Sequence, residues 1–381
     1  MKIGIDASRY SHDTATGVEW YSYHIINGVI KQALKQEDAE VVLYSPHDLS
    51  LPKDLEHPRK IRKRIIPARR FWTLRRLSKE MKQNPPDVLF VPSHTLPLRR
   101  PAYSVVTIHD TAFKYLKSSY SWFQYHHLNW STKYAVKHAS KIIVPSDATK
   151  QDLVKFFKCP VDKIVVVPHG FKMNRHINLS DISENLKQIG FDGGASSGSS
   201  DDAADRHPYI YFVGRLESKK NLARLIEAFG RFSENHPEWR LVLAGKRGLG
   251  FERILETVRR LKLADKVLMP GYVDEQEKAY LYKNCSIFAF PSLYEGFGFP
   301  ILEAFTFEKP VLTSHVSSMP EVAADAAHYC DPFDVASIER GLEKLADDKT
   351  YADDLAEKGK KRLVNFTWES AVKKTYDVLT K

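Results

Sequence analysis

The segment YEGFGFPILE, residues 294–303, sets two carboxylates, Glu295 and Glu303, on either side of a Gly-Phe-Gly turn and a proline. Carboxylates accept hydrogen bonds, so such a pair suits a hydroxyl-rich ligand such as a hexose or a ribose. The preceding run SIFAFPS reads as a buried strand, Pro300 fits the first position of a helix, and ILEAF continues that helix. Glu295 is therefore expected in the loop beyond a strand, and Glu303 in the first turns of the helix. An acid near a helix N-terminus would by itself account for Glu303, but it leaves Glu295 unexplained. Gly296 and Gly298 let the backbone approach a ligand closely.

A second cluster follows YIYFVG (209–214). Arg215 and, within LESKKN, Lys220 leave a strand end and meet a helix whose apolar face is Leu222, Leu225, Ile226 and Phe229. Free N–H groups and the helix dipole already favour an anion there, so a diphosphate is the natural guest. Exposed loop cations are the plainer alternative. Among the histidines, His94 in VPSHTLPL lies beyond a strand end. His126 and His127 fall in the aromatic helical stretch SWFQYHHLNWSTKYAV, where packing is expected, and His169 in PHG is expected at a hinge.

These groups must be positioned by strands and helices that the rest of the chain supplies. Apolar runs recur at 2–6, 41–44, 87–93, 104–110, 141–146 and 163–170, with helical stretches between them, among these a face of Val18, Tyr21, Ile25 and Val29. Nearly continuous apolar strands separated by helices indicate a parallel sheet covered on both faces. The stretch 190–207 is small, polar and acidic and reads as a flexible linker. The alternation then restarts at 209–214, 240–245, 266–271, 286–292, 310–314 and 327–330. The expected architecture is α/β, with two Rossmann-like doubly wound domains facing a cleft: residues 1–189, the linker 190–207, and residues 208–381, the last helix packing back on the first domain. In such sheets ligands bind beyond the carboxyl ends of the strands, where each motif above falls.

A chain of 381 residues exceeds what one core usually supports, and its 43% hydrophobic and 27% charged residues are those of an ordinary globular protein. Cys159, Cys285 and Cys330 fit neither a disulfide framework nor a zinc pattern and read as buried small hydrophobes. No run of eighteen apolar residues or basic-then-apolar leader occurs, so a cytoplasmic location is expected, with any membrane contact peripheral. The net charge of +10 is matched by ten Lys/Arg without an acid in RKIRKRIIPARRFWTLRRLSK, residues 59–79. Arg69, Arg70, Phe71, Trp72, Arg75 and Arg76 make this stretch amphipathic, which suits an anionic lipid surface or a solvated basic face. No recognition motif supports nucleic acid.

The E-x7-E pair, RLESKKN after a glycine-ended strand, and SSMPEVAADAA (317–327) resemble retaining glycosyltransferases of family 4, which have the GT-B fold. DASRY…TGVEWYSYHI, VPSHTLPL, TIHDTAFKY and KIIVPSDATKQDL…DKIVVVPHG resemble the mannosyltransferase B-like branch, so the similarity spans nearly the whole chain. It implies that Arg215 and Lys220 hold a donor diphosphate, Glu295 lies beside the donor hexose, and Glu303 takes the ribose hydroxyls. Phe297 and Gly298 would turn backbone N–H groups toward sugar and phosphate, His109 would reach the donor sugar, and Gly17 would lie near the phosphates and acceptor. At Ala324 the family more often has glycine, a departure with no expected functional consequence.

The implied reaction transfers a hexose, mannose before glucose, from a GDP- or UDP-linked donor to a saccharide or lipid-linked saccharide, with retention of configuration. No Asp-x-Asp pair occurs, and no metal or cofactor is expected. The basic pair and a helix N-terminus would stabilise the leaving diphosphate. Asp110, next to His109, either orients the acceptor or ends its strand, and His94, beyond its own strand end on the cleft side, is expected to touch the acceptor. The competing expectations are an epimerase or phosphorylase on the same fold and a non-catalytic carbohydrate-binding scaffold.

Overall fold

A computed structural model describes residues 1–11, 17–68, 71–173, 175, 186 and 207–381. Residues 190–206 of the expected linker, with Arg69 and Arg70, lie outside the described residues. The chain divides into two compact units, Met1–Lys172 with Phe366–Lys381, and Met173–Asn365.

The first unit is built on β1 (Lys2–Asp6), β2 (Glu40–Ser45), β3 (Ile61–Ile65), β4 (Val88–Val91), β5 (Tyr103–Thr107), β6 (Lys141–Val144) and β7 (Ile164–Val166). All pair in parallel, in the order β3-β2-β1-β4-β5-β6-β7. Alternate residues serve opposite faces: Ile3, Ile5, Val41 and Leu43 enter one core, and Val42, Tyr44, Leu89 and Val91 the other. That two-sided burial explains why the strands read as continuous apolar runs. Helix α1 (Gly17–Leu34) buries Tyr21, Ile25 and Val29 on the first face, beside the last helix, Trp368–Thr380. Gly28 permits their approach, since a Cβ there would lie 2.1 Å from a methyl carbon of Val372.

Three expectations fail in this unit. The basic stretch contributes the edge strand β3, absent from the strand pattern because only Ile61 of IRKRI is buried. Its charges make local contacts: Arg62 with Glu40 at 2.9 Å, Arg64 with Glu80 at 3.3 Å, and Lys63 with the Leu49 carbonyl at 2.7 Å. Trp72 does not face outward. It starts a π-helical turn, Trp72–Leu77, leading into α2 (Ser78–Gln83), is buried, and donates its indole N–H to the Ile66 carbonyl at 2.7 Å. Phe71, Arg75 and Arg76 are exposed. Conversely, the aromatic stretch expected to pack forms α3 (Trp122–His138), whose N-terminal half is largely exposed, His126 and His127 included. Its buried residues are Ser131, Thr132, Ala135 and Val136, with Tyr134 packed against the same core, and α4 (Asp147–Phe157) follows.

The second unit carries β8 (Tyr209–Val213), β9 (Arg240–Ala244), β10 (Val267–Gly271), β11 (Ile287–Phe290), β12 (Val311–Ser314) and β13 (His328–Cys330), all parallel, in the order β10-β9-β8-β11-β12-β13. Its helices include α5 (Leu222–Asn235), α6 (Phe251–Arg260), α7 (Glu275–Asn284), α8 (Phe299–Thr306) and α9 (Met319–Ala323). In each sheet the strand order reverses once, at β1/β4 and at β8/β11. Loops leaving the two strands of such a switch point diverge to opposite faces and open a crevice between them.

Candidate functional site

In the second unit, the loops after β8 and β11 flank the switch point and carry the expected residues. Gly214 follows β8, and Arg215 comes next, exposed, its stem against Gly248. A 3-10 turn, Ser218–Lys220, delivers Lys220 to the start of α5. There its ammonium lies 2.6 Å from Glu295 Oε1 and 5.1 Å from the centre of the Phe290 ring. Two contacts fix this meeting. The Leu293 N–H donates to the Lys219 carbonyl at 2.9 Å. The buried Asn221, in the left-handed region (φ 62°), donates its amide to the Pro291 and Pro332 carbonyls at 3.1 and 2.6 Å.

The turn from Glu295 to Gly298 is gripped by two serines. Ser317 and Ser318 both donate to the Glu295 carbonyl, and Ser318 also to that of Phe297 at 2.7 Å. Gly298 caps α8 at φ 116°, a conformation an L side chain rarely adopts, with Pro300 in the first helical turn. Phe297 is buried against Phe299, and Gly296 is partly covered.

Glu303 has a different set of partners. An N-terminal capping box, Asp274 with Glu277, starts α7 and sets Lys278 and Tyr282 one turn apart on one face. The Lys278 ammonium lies 3.2 Å from Glu303 Oε1, and the Tyr282 hydroxyl donates to Oε2 at 2.9 Å. Burial alone would push Lys278 down, but the carboxylates of Glu303 and Glu275 overcome it and hold the ammonium above its ordinary range. The Tyr282 hydroxyl is pushed well up, by burial first and then by Glu303. The two carboxylates of the E-x7-E pair are thus separately wired.

In the first unit, three histidines leave the ends of β4, β5 and β7 and meet. His109 Nε2 lies 2.9 Å from the Pro92 carbonyl, which can only accept, so Nε2 carries the proton. Nδ1 then accepts from His169 Nε2 at 3.4 Å. The His94 ring stands edge-on to His109, centroids 5.4 Å apart, and the Tyr21 ring lies 4.9 Å from His109 and 4.4 Å from His169. Burial, helped by the neighbouring His94, pushes His109 down to about 3, so it is neutral at pH 7. His94 and His169 are pushed down by burial as well. Both ring nitrogens of His109 are occupied within its own unit. Asp110 accepts the Ala112 N–H at 3.0 Å in the turn that follows, and Gly17 opens α1, exposed.

Sequence reasoning passed over several residues. Asn221 carries a signal, an asparagine at a helix start. Lys278 and Tyr282 show only an i, i+4 spacing common to many helices. Asp6 ends the apolar run of β1 and is buried; its Oδ1 accepts the Ser8 N–H at 2.9 Å, and its Oδ2 has no hydrogen-bond partner among the described residues. Burial pushes this carboxyl up to about 6.

Residues 16–175 match the family model Glycosyltransferase Family 4, and residues 199–362 match Glycosyl transferases group 1. The chain is similar to O-antigen chain mannosyltransferase B of Escherichia coli, 27% identical over 317 residues, covering 82% of this chain and 77% of that protein. Its fold resembles that of sucrose-phosphate synthase from Thermosynechococcus elongatus, with a TM-score of 0.72, 18% identity and 99% and 98% of the two chains covered. It also resembles Anabaena HepE in complex with UDP and glucose, with a TM-score of 0.69, 17% identity and 100% and 99% covered. With both models matched in order on two doubly wound parallel sheets, the chain belongs to glycosyltransferase family 4 and has the GT-B fold.

Proposed function

We propose that the protein transfers a hexose, mannose in the first instance and glucose as the alternative, from a GDP- or UDP-linked donor to a saccharide or lipid-linked saccharide. Configuration is retained and no metal ion takes part. The observation that carries this reading is the Lys220–Glu295 pair at the switch point, with Arg215 exposed on the preceding loop and Glu303 wired apart from it.

In this reading Arg215 and Lys220 face the donor diphosphate, Glu295 the hexose and Glu303 the ribose. As the bond from the anomeric carbon to the diphosphate lengthens, negative charge gathers on phosphate oxygens. Once Lys220 has turned from Glu295 to the donor, it and Arg215, with the positive end of α8, stabilise that charge. The acceptor hydroxyl attacks from the face the leaving group vacates and passes its proton to a diphosphate oxygen. The anomeric configuration is then kept without a protein nucleophile. The preference for mannose leans on the name of the Escherichia coli relative.

Thermal-shift measurements with GDP, UDP and ADP and their sugars identify the base, because a ligand bound only by the folded state raises the transition temperature. Proton NMR of the product then reports the anomeric configuration. An inverted product, or no shift with any of these nucleotides, overturns the proposal.

A further inference from the structure

None of the residues assigned to hexosyl transfer lies on the outer face of α3, which carries the exposed aromatic side chains Trp122, Phe123 and Trp130. At about 100° per residue, Trp122, Phe123, His126, Trp130, Lys133 and Lys137 share one arc of roughly 100°. The core contacts lie on the other side of the helix. Trp122 is 67% exposed, Phe123 78% and Trp130 41%. Beside the helix, Tyr115 is exposed, and the Lys117 ammonium sits 5.6 Å from the centre of the Tyr125 ring and that of Lys155 5.5 Å from the centre of the Tyr115 ring.

Charge decides what this face fits. No Asp or Glu occurs between Asp110 and Asp147, so the helix that carries the aromatic arc bears cations and no acid. A saccharide platform would pair its rings with exposed carboxylates that accept sugar hydroxyls; α3 carries none, and the nearby Asp152 is buried and already accepts from the Thr111 and Tyr115 hydroxyls. Tryptophan and lysine together suit the headgroup region of a bilayer, where the ring takes the interface and the ammonium takes anionic lipid. The stretch 59–79, the other basic segment, has Arg62, Lys63 and Arg64 in local contacts and Trp72 buried.

We propose that α3 is a membrane-docking helix, its aromatic and cationic arc seated in the headgroup region of an anionic bilayer. This goes beyond hexosyl transfer and does not depend on it, because the argument uses none of the residues assigned to the donor.

The test is co-sedimentation of the full chain with vesicles of phosphatidylcholine alone and of phosphatidylcholine mixed with phosphatidylglycerol. Binding is expected only to the mixed vesicles, weakening as salt screens the charges. Lys133→Gln with Lys137→Gln should lower partitioning roughly 30-fold, about fivefold per charge. Trp122→Ala with Phe123→Ala should lower it about tenfold or more, whereas Arg75→Glu with Arg76→Glu should leave it near wild type. All four α3 positions are exposed, and variant unfolding temperatures equal to those of wild type, measured both without and with nucleoside diphosphate, verify the fold and separate this result from the fate of the transfer reading. Three outcomes overturn the proposal: wild-type protein that ignores anionic vesicles at low salt, α3 variants that bind as well as wild type, or loss of self-association in lipid-free sedimentation, which would make the arc a contact between copies.

Discussion

The Lys220 ammonium lies 2.6 Å from Glu295 Oε1, and the two side chains are only 12% and 13% exposed. The cation assigned to a diphosphate and the carboxylate assigned to a hexose therefore neutralise each other. A buried pair of this kind is poor evidence for stability, but losing one partner strands the other charge. On the proposed assignments, donor binding replaces part of this contact, with Lys220 turning to phosphate and Glu295 to sugar hydroxyls.

Glu295→Gln is accordingly expected to lower turnover while keeping affinity for free nucleoside diphosphate at or above the wild-type level, because Lys220 no longer shares its charge. Calorimetry with GDP and UDP checks this. A loss of affinity as large as that of Lys220→Met would refute the division of labour.

Glu303→Ala should weaken the free nucleoside diphosphate by about 1.5–3 kcal/mol, the usual worth of hydrogen bonds to an ionised group. Tyr282→Phe, which releases Oε2 without removing the carboxylate, should cost about 1 kcal/mol. Equal losses in the two variants would show that Tyr282, rather than Glu303, meets the nucleotide.

Transfer should continue after exhaustive treatment with EDTA, since Arg215, Lys220 and the start of α8 are assigned the leaving-group charge. Rate measurements before and after chelation decide the matter. Activity abolished by the chelator and restored by manganese or magnesium contradicts the proposal.

Ala324 has φ 49° and ψ −124°, and it follows α9 directly. The departure from the family's glycine is thus not neutral for the backbone: a Cβ is held where L residues are strained. Ala324→Gly should stabilise the second unit by about 1 kcal/mol, raising its transition by roughly 2–4 °C in calorimetry. A lower transition temperature would show that the surroundings remove the strain.

Acid should destabilise the first unit through its histidines. Below pH 6.5 the unfolded chain protonates His109, whereas the folded chain, with this group pushed down to about 3, does not. Stability is therefore complete above pH 6.5 and falls on acidification, by about 2 kcal/mol for one such histidine between pH 6.5 and 5. Asp6 works in the opposite sense: pushed up to about 6, it keeps a proton that the unfolded chain releases, adding stability as pH falls below 6. His109→Gln should flatten the fall of the transition temperature between pH 7 and 5, and Asp6→Asn should steepen it. Parallel curves for both variants and wild type would rule this linkage out.

The sequence by itself determined the α/β class and twelve of the strands, because parallel strands buried on two faces must be nearly all apolar. It also determined that Arg215, Lys220, Glu295 and Glu303 lie at strand ends and helix starts, since the glycines and Pro300 that force those turns are local signals. Only the tertiary structure decided which charges meet. That Lys220 finds Glu295 while Glu303 finds Lys278 and Tyr282 depends on which strands neighbour one another, and strand order leaves no mark in local pattern. The strand β3 was illegible for a related reason, because an edge strand needs only one buried residue and its neighbour supplies the hydrogen bonds. Burial of Trp72 and exposure of Trp122 were likewise decided by whether another element covers them, which aromatic composition does not encode.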